Sequence, residues 1–236
     1  MDITMVRFQK YTTFGSTIFG IATIILGVML LFTFPLSADL SEGFRTPIIA
    51  FEFAKTEADL SFLTGNDDVN RLNREKMDAG HNILDMVFPF AYAGFIALML
   101  LQITSRSHRS IWLGVLFALS IIPFDINENL TLLQITEALE NSTSTEMLLS
   151  ELHIATWLKW GAMGTSIAVL AIGFTANKEY MSAVVSLLAA LGVAICWASN
   201  SSPVTAEAMS ALAFLFFLTL SIKSCVQSWT LIKRRA

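Results

Sequence analysis

The fold of this chain follows from an apolar stretch at residues 111–134, which reads IWLGVLFALSIIPFDINENLTLLQ. An α-helix of about 20 mostly apolar residues spans the ~30 Å hydrocarbon core of a lipid bilayer. Five other stretches share this length and character, namely residues 14–36, 83–104, 153–175, 180–198 and 206–228. We therefore predict an all-α fold, a polytopic membrane helix bundle with six transmembrane helices, in which residues 1–236 form a single transmembrane domain.

The composition supports a membrane protein. Of the 236 residues, 54% are hydrophobic and 14% are charged, whereas soluble domains contain about 25% charged residues. A chain of this kind buries its apolar surface in a lipid bilayer, which is its predicted partner. The net charge is -4, and no long run of Lys and Arg is present, so we predict no nucleic-acid partner.

The positions of Lys and Arg predict the orientation, because positive residues mark the cytoplasmic ends of transmembrane helices. The loops at residues 135–152 and 199–205 contain neither Lys nor Arg. These residues lie instead at the alternate ends of the spans, at Arg7, Lys10, Arg106, Arg109, Lys178, Lys233, Arg234 and Arg235. We therefore predict a multi-pass protein of the cell membrane whose N- and C-termini are both cytoplasmic.

The longest segment outside the spans, residues 37–82, is extracytoplasmic in this orientation. The stretch Thr56–Asp59 has the spacing of a capping box at the start of a short helix, which Gly65 ends. One of the residues 66–68 caps a second helix that leads into the second span. We predict short amphipathic helices here, which either lie on the membrane face or fold over the bundle as a lid.

Charged residues within three different spans lie at one depth. Asp125 lies about 21 Å from the cytoplasmic end of the third span, at a rise of ~1.5 Å per residue. Glu128 and Asn129 lie one turn further along the same helical face. Asp85 and Lys159 lie near the extracytoplasmic ends of the second and fourth spans. Charge inside a bilayer is costly and marks functional sites, so we predict that these side chains meet.

The predicted cluster has more negative than positive charge. Asp85, Asp125 and Glu128 are three carboxylates, and Lys159 is the only strong cation at that level. A proton, a cation or a small polar ligand has to supply the balance. Our leading hypothesis is an outward-facing polar pocket in a transporter-like or ligand-sensing protein. In this hypothesis Asp125 is the central titrating group, Lys159 is its counter-charge, and Asp85, Glu128 and Asn129 complete the site.

Structural interpretations of the same residues remain open. Asp85 could cap its helix, Lys159 could extend towards the interface, and Asn129 could hydrogen-bond neighbouring helices. A metal site for zinc, iron or manganese is a weaker alternative, with candidate ligands His81, Asp85, Asp125, Glu128 and His153. We expect His81 and His153 to be interfacial residues, because the HExxH and ExxH metal motifs are absent from the sequence.

Two further functions compete with the leading hypothesis. One is a membrane-embedded enzyme, with or without a metal, that acts on a lipid-like substrate. The other is an accessory subunit whose buried charges pair with the helices of a partner membrane subunit. The sequence contains no nucleophile elbow, P-loop or dinucleotide-binding glycine pattern. We therefore assign no catalytic residue and no cofactor.

Several nearby residues have simple local interpretations. We expect Glu52 to pair with Lys55, three residues away, although it could instead reach down as another carboxylate of the site. We expect Glu207 to interact with the positive end of its own helix. Trp157 and Trp160 are typical of the aromatic belt at a membrane interface, although either could instead line the site of a cationic ligand.

Overall fold

The computed structural model describes residues 3–65, 67–103 and 109–233, which are helical or irregular and form no strand. The α-helices are α1 (Ile3–Thr33), α2 (Pro47–Glu52), α3 (Asp68–Ala79), α4 (Asp85–Ile103), α5 (Arg109–Glu140), α6 (Glu146–Ala176), α7 (Tyr180–Ala198) and α8 (Pro203–Lys233). A 3₁₀-helix, Glu57–Leu60, lies between α2 and α3. A π-helical turn, Gly80–Leu84, joins α3 to α4. Asn66, Arg106, Arg234 and Arg235, which entered the sequence predictions, lie outside the described residues.

Within the described residues, six helical segments are long and apolar enough to cross a membrane, as predicted. They are Phe8–Thr33, Asp68–Ile103, Ile111–Glu140, Glu146–Ala176, Tyr180–Ala198 and Pro203–Lys233. The protein is therefore a multi-pass membrane protein with an all-α fold. The exposed side chains agree, because large apolar residues such as Met181, 79% exposed, cover the outside of the bundle.

The ends of the spans were the least accurate part of the predicted fold. We placed the end of the first span at residue 36, but α1 ends at Thr33, because Pro35 disfavours helical geometry in the residue before it. The fourth span starts at Glu146 rather than residue 153. Its 31 residues extend over about 46 Å, so its polar first turns project beyond the hydrocarbon core.

The six long helices form a closed ring. Neighbours pack in the order α1, α4, α5, α6, α7 and α8, and α8 returns to α1. Helices α4 and α6 also touch across the ring. Fully buried Phe95, Met99, Leu100 and Phe216 lie in the core between the helices. Both described termini lie at one end of this ring, which we call the terminal end.

The opposite end is covered by residues 37–65 and 67–79, which we call the cap. Phe51, Leu60, Phe62 and Leu63 of the cap are almost fully buried. They pack in one cluster with Leu132 and Ile135 of α5 and with Leu149 and Leu152 of α6. Of the two predicted arrangements, the cap therefore adopts the one in which it folds over the bundle.

The cap owes its local structure to the predicted signals. A capping box joins Thr56 and Asp59 at the start of the 3₁₀-helix. The carboxylate of Asp67 accepts hydrogen bonds from the backbone N–H groups at Val69 (3.1 Å) and Asn70 (3.0 Å), so it caps α3. Gly65 has a φ of +100°, a left-handed conformation that favours glycine between two such helices.

One long-range contact ties the cap to the bundle. Glu207 of α8 accepts hydrogen bonds from the backbone N–H groups at Arg45 (2.8 Å) and Thr46 (2.7 Å). Its other oxygen accepts from the Thr46 hydroxyl at 2.7 Å. The carboxylate thus holds the start of α2, rather than interacting only with its own helix as we expected. This contact fixes the position from which α2 projects Glu52 into the bundle.

Candidate functional site

The site is centred on the ammonium group of Lys159, on α6. Lys159 is only 5% exposed. Its Nζ lies 3.2 Å from Oε1 of Glu52 and 3.7 Å from Oδ1 of Asp125, and it forms an ion pair with Glu128. We call these four residues the charged cluster. As predicted, charged side chains from separate spans meet, and a carboxylate of the cap joins them.

Asp125 of α5 is held by two partners. The hydroxyl of Tyr92 on α4 donates a 2.6 Å hydrogen bond to Oδ2, while Oδ1 faces Lys159. Tyr92 itself is almost fully buried. Tyr92 stands seven residues after Asp85 and so lies on the same stripe of α4, but the sequence gives no sign of its bond to Asp125. Both oxygens of Asp125 therefore have a partner within the bundle.

Glu128 is the least exposed residue of the charged cluster and is fully buried. One of its carboxylate oxygens, Oε2, pairs with Lys159. The other, Oε1, has no hydrogen-bond partner in the part of the chain that the structure describes. A buried carboxylate in this position is stable only while the ammonium group stays beside it.

The predicted pairing of Glu52 with Lys55 is wrong. Glu52 ends α2 and points into the bundle, where its Oε2 accepts a 3.3 Å hydrogen bond from Nε1 of Trp160. Lys55 instead donates a 2.5 Å hydrogen bond to the backbone carbonyl of Asn200. The sequence contains one signal for this, because Glu52 stands between Phe51 and Phe53, and both phenylalanines are buried.

The aromatic-belt interpretation also fails for Trp160. Its side chain is 6% exposed, and its ring centroid lies 5.3 Å from Nζ of Lys159. Such a ring stabilises the ammonium by a cation–π interaction. Trp157 is partly buried and packs edge-on against Phe53, at 5.9 Å between ring centroids. Trp160 thus borders the site, an arrangement that the sequence favours less than the aromatic belt.

Pro89 explains the role of Asn129. A proline inside a helix has no N–H, so the carbonyl four residues earlier, that of Asp85, loses its helical partner. Nδ2 of Asn129 on α5 donates a 2.9 Å hydrogen bond to this carbonyl. Asn129 is therefore committed to the backbone of α4, and its side chain is 1% exposed.

Asp85 differs from the other carboxylates. It is 8% exposed, and Nε2 of His81 lies 3.9 Å from its Oδ2. Its carboxylate accepts no hydrogen bond from the residues that the structure describes. It lines a cavity beside the charged cluster, and is therefore the carboxylate with free capacity for a ligand.

The two histidines among the candidate metal ligands lie in different environments. His81 is fully buried, so our interfacial prediction is wrong for it. Its ring lies between those of Phe34 (5.0 Å between centroids) and Phe51 (6.0 Å). Neither ring nitrogen has a hydrogen-bond partner among the described residues. His153 is exposed on α6, as we expected of an interfacial residue.

A metal centre does not fit this arrangement. Across the described ranges, no three His, Cys, Asp or Glu side chains are grouped so that they could hold a metal ion. The carboxylates of Asp125 and Glu128 converge on Lys159, which occupies the position that a metal would need. Of the other candidate ligands, only His81 and Asp85 approach each other.

The cavity beside the charged cluster has a volume of about 220 Å³. One end is polar and carries Glu52, Asp85, Tyr92, Asp125 and Lys159. The rest is apolar, with walls from α1, α2, α4, α6 and α8 that include Ile24, Leu30, Phe34, Ile49, Phe88, Met163, Phe214 and Phe217. The arrangement can therefore bind a ligand that has both a charged and an apolar part.

The site has a formal excess of negative charge. Glu52, Asp85, Asp125 and Glu128 are four carboxylates around one ammonium, that of Lys159. When all are ionised, three negative charges are unbalanced.

Comparisons of the chain with protein-family models, curated proteins and solved structures give no match. The function therefore follows from the geometry and charge of this site alone.

Proposed function

We propose that the protein binds a cation in the cavity beside Asp85 and acts as a transporter or a ligand sensor of the cell membrane. The observation that carries this proposal is the charge count of the buried site, four carboxylates to one ammonium. Unpaired charge in a low-dielectric interior costs several kcal/mol per ion. A bound proton or cation removes that cost, and such sites mark ion and substrate pathways in membranes.

The hydrogen bonds of the site indicate where the cation binds. Asp125 is occupied by Tyr92 and Lys159, and Glu52 by Trp160 and Lys159. Asp85 lines the cavity and accepts no hydrogen bond from the described residues. We therefore place the cation at Asp85, and give Asp125 a supporting role instead of the central one that the sequence suggested.

The cavity walls favour an organic cation over a hydrated metal ion. Aromatic rings of Phe88, Tyr92 and Phe217 line the space next to Asp85. Their faces attract cations, and desolvation strengthens that attraction. A small inorganic ion would lose most of its hydration shell against these apolar walls, whereas a substituted ammonium loses little.

The cap faces the extracytoplasmic side in this proposal. The loop at residues 135–152, at the cap end, contains no Lys or Arg, whereas Lys178 and Lys233 lie at the terminal end. The excess of positive residues marks the cytoplasmic side. The cation site then lies in the extracytoplasmic half of the bilayer.

Thermal unfolding in lipid nanodiscs tests cation binding. Tetramethylammonium chloride, titrated at constant ionic strength against NaCl, should raise the melting temperature in a saturable way. Asp85→Asn should abolish this rise, because the free carboxylate is lost. Asp39→Asn, which changes an exposed carboxylate of the cap, should leave it unchanged. A wild-type protein that shows no saturable response to tetramethylammonium would refute the proposal.

A further inference from the structure

Helices α1 and α8 both line the cavity. Among the described residues, the hydrogen bonds between them lie only in the half of each helix that is nearer to the terminal end of the bundle. The hydroxyl of Thr17 on α1 lies 2.7 Å from that of Ser228 on α8 and donates to the carbonyl of Ser224 at 2.9 Å. Ser16 and Ser224 also meet, at 3.2 Å. These bonds close the seam between α1 and α8 at the terminal end of the bundle.

Towards the cap, both of these helices line the cavity. Ile24 and Gly27 of α1, and Ser210 and Phe214 of α8, belong to its wall. Phe214 is nevertheless 56% exposed, and the other three are partly exposed. The exposure of these lining residues points to an opening of the cavity towards lipid between α1 and α8, which we call the portal.

The order of polarity along the cavity matches that of an amphiphile. The carboxylate of Asp85 lies at its inner, polar end, and Ile24, Gly27 and Phe214 lie at the portal. A volume of about 220 Å³ corresponds to about seven water-sized groups at ~30 Å³ each. This holds a substituted ammonium group and the first carbons of a chain, while the remainder extends through the portal into lipid.

We infer that the ligand is a cationic amphiphile, an alkylammonium compound that enters sideways from the bilayer through the portal. This inference rests on the proposed function and adds the ligand class and its route. The positive head group pairs with Asp85 and balances the charged cluster. The alkyl chain stays in apolar surroundings throughout, because the portal opens to lipid instead of water.

Gly27 offers a way to close the portal without changing any charge. A Cβ at this position would lie 3.7 Å from the ring of Phe88, an ordinary contact, so Gly27→Ala is sterically acceptable. Gly27→Leu would fill the opening. Gly161 provides a matched control, because a Cβ added there meets nothing within 4 Å. Ser210→Leu narrows the portal from the α8 side. It is the second portal-blocking variant and replaces Gly27→Leu if that variant does not fold.

The test compares tetramethylammonium with dodecyltrimethylammonium by titration calorimetry against protein in nanodiscs, with the heat of empty nanodiscs subtracted. After correction for partitioning into lipid, the dodecyl compound should bind at least tenfold more tightly than tetramethylammonium. Gly27→Leu or Ser210→Leu should remove that advantage, while Gly27→Ala and Gly161→Leu should retain it. Retention of a monomeric elution profile confirms that each variant is folded.

The outcomes separate the two proposals. If tetramethylammonium binds but the dodecyl chain adds nothing, or if both portal-blocking variants retain its advantage, the lateral route is wrong and cation binding stands. If neither compound binds to the wild-type protein, the proposed function itself fails. If the dodecyl compound binds equally well to Asp85→Asn, its chain alone is recognised and the head-group assignment is overturned.

Discussion

The side-chain amide of Asn129 donates a hydrogen bond to the backbone carbonyl of Asp85, at 2.9 Å. This bond replaces the helical one that Pro89 cannot form. It links α5 to α4 at the residue that we propose as the cation ligand. Asn129, which the sequence suggested as a ligand-binding residue, therefore has a structural role. It helps to position Asp85, which binds the cation in our proposal.

Replacing Asn129 by Leu should destabilise the protein by about 1–3 kcal/mol, because a buried carbonyl is left without a partner. Unfolding in denaturant, followed by circular dichroism, measures the change. In a Pro89→Ala background the restored N–H can bond to the Asp85 carbonyl, so Asn129→Leu should cost much less there. Equal losses in the two backgrounds would contradict the proposed coupling of Pro89 and Asn129.

Removing the ammonium group of Lys159 should destabilise the protein more than replacing Asn129 by Leu. Lys159→Met leaves Glu52, Asp125 and Glu128 without their common partner, and breaking a buried ion pair on one side costs about 3–5 kcal/mol. The free energy of unfolding in detergent provides the measurement. Lys76→Met changes an exposed lysine of α3 and should have little effect. A Lys159→Met variant as stable as Lys76→Met would show that the charged cluster does not depend on this group.

The contact between Glu207 and the start of α2 should control access to the cap. Glu207→Ala removes the acceptor for two backbone N–H groups and one hydroxyl. Hydrogen bonds to charged groups contribute about 1.5–3 kcal/mol each at most, so the cap should open more often. We expect trypsin to cleave after Arg45 and Lys55 several-fold faster. Glu42→Ala, at an exposed cap residue, is the control, and equal cleavage rates in the two variants would argue against anchoring by Glu207.

The stability of the cap should depend on pH through Asp59. Partial burial alone raises the pKa of this carboxyl. Hydrogen bonds from the backbone N–H groups of Lys55 and Thr56 and the hydroxyls of Thr56 and Ser41 outweigh that effect and hold its pKa below the usual 3.8. The stabilisation is therefore present above pH 3.8 and is lost as the pH falls through the lowered value.

Comparison of Asp59→Asn with the wild-type protein isolates this effect. The variant should melt at a lower temperature at pH 6, because the capping carboxylate is absent, at a cost of about 0.5–2 kcal/mol. The difference should shrink as the pH falls below 3.8 and through the lowered pKa of Asp59, because the wild-type carboxyl then becomes neutral as well. Asp39→Asn should show no such pH-dependent difference. A gap between Asp59→Asn and wild type that persists unchanged at low pH would refute the assignment.

Local patterns were sufficient to predict much of this fold. Hydrophobic stretches predicted six spans, and the residues of Thr56–Asp59 and Asp67 predicted the caps that the structure contains. Rise per residue predicted that Asp125 and Lys159 share a depth, and they form an ion pair. These features depend on neighbours along one helix, so a single sequence contains the information.

Contacts between distant segments could not be predicted in the same way. Glu52 reaches Lys159 because Glu207, more than a hundred residues away, holds the start of α2. Tyr92 bonds to Asp125 because α4 and α5 pack in one particular rotation. The sequence orders residues along each helix but does not specify which faces meet. The sequence predicts a polar pocket, but the apolar part of the cavity and the portal depend on that packing and were therefore not foreseen.

A density map of the protein in nanodiscs saturated with dodecyltrimethylammonium shows directly whether a cation beside Asp85 balances the excess carboxylates of the buried site. We predict density for the trimethylammonium group in the cavity, against the Asp85 carboxylate, with the chain leaving between α1 and α8. A map in which the cavity is empty at saturating ligand, with the amphiphile only in surrounding lipid, would contradict the account.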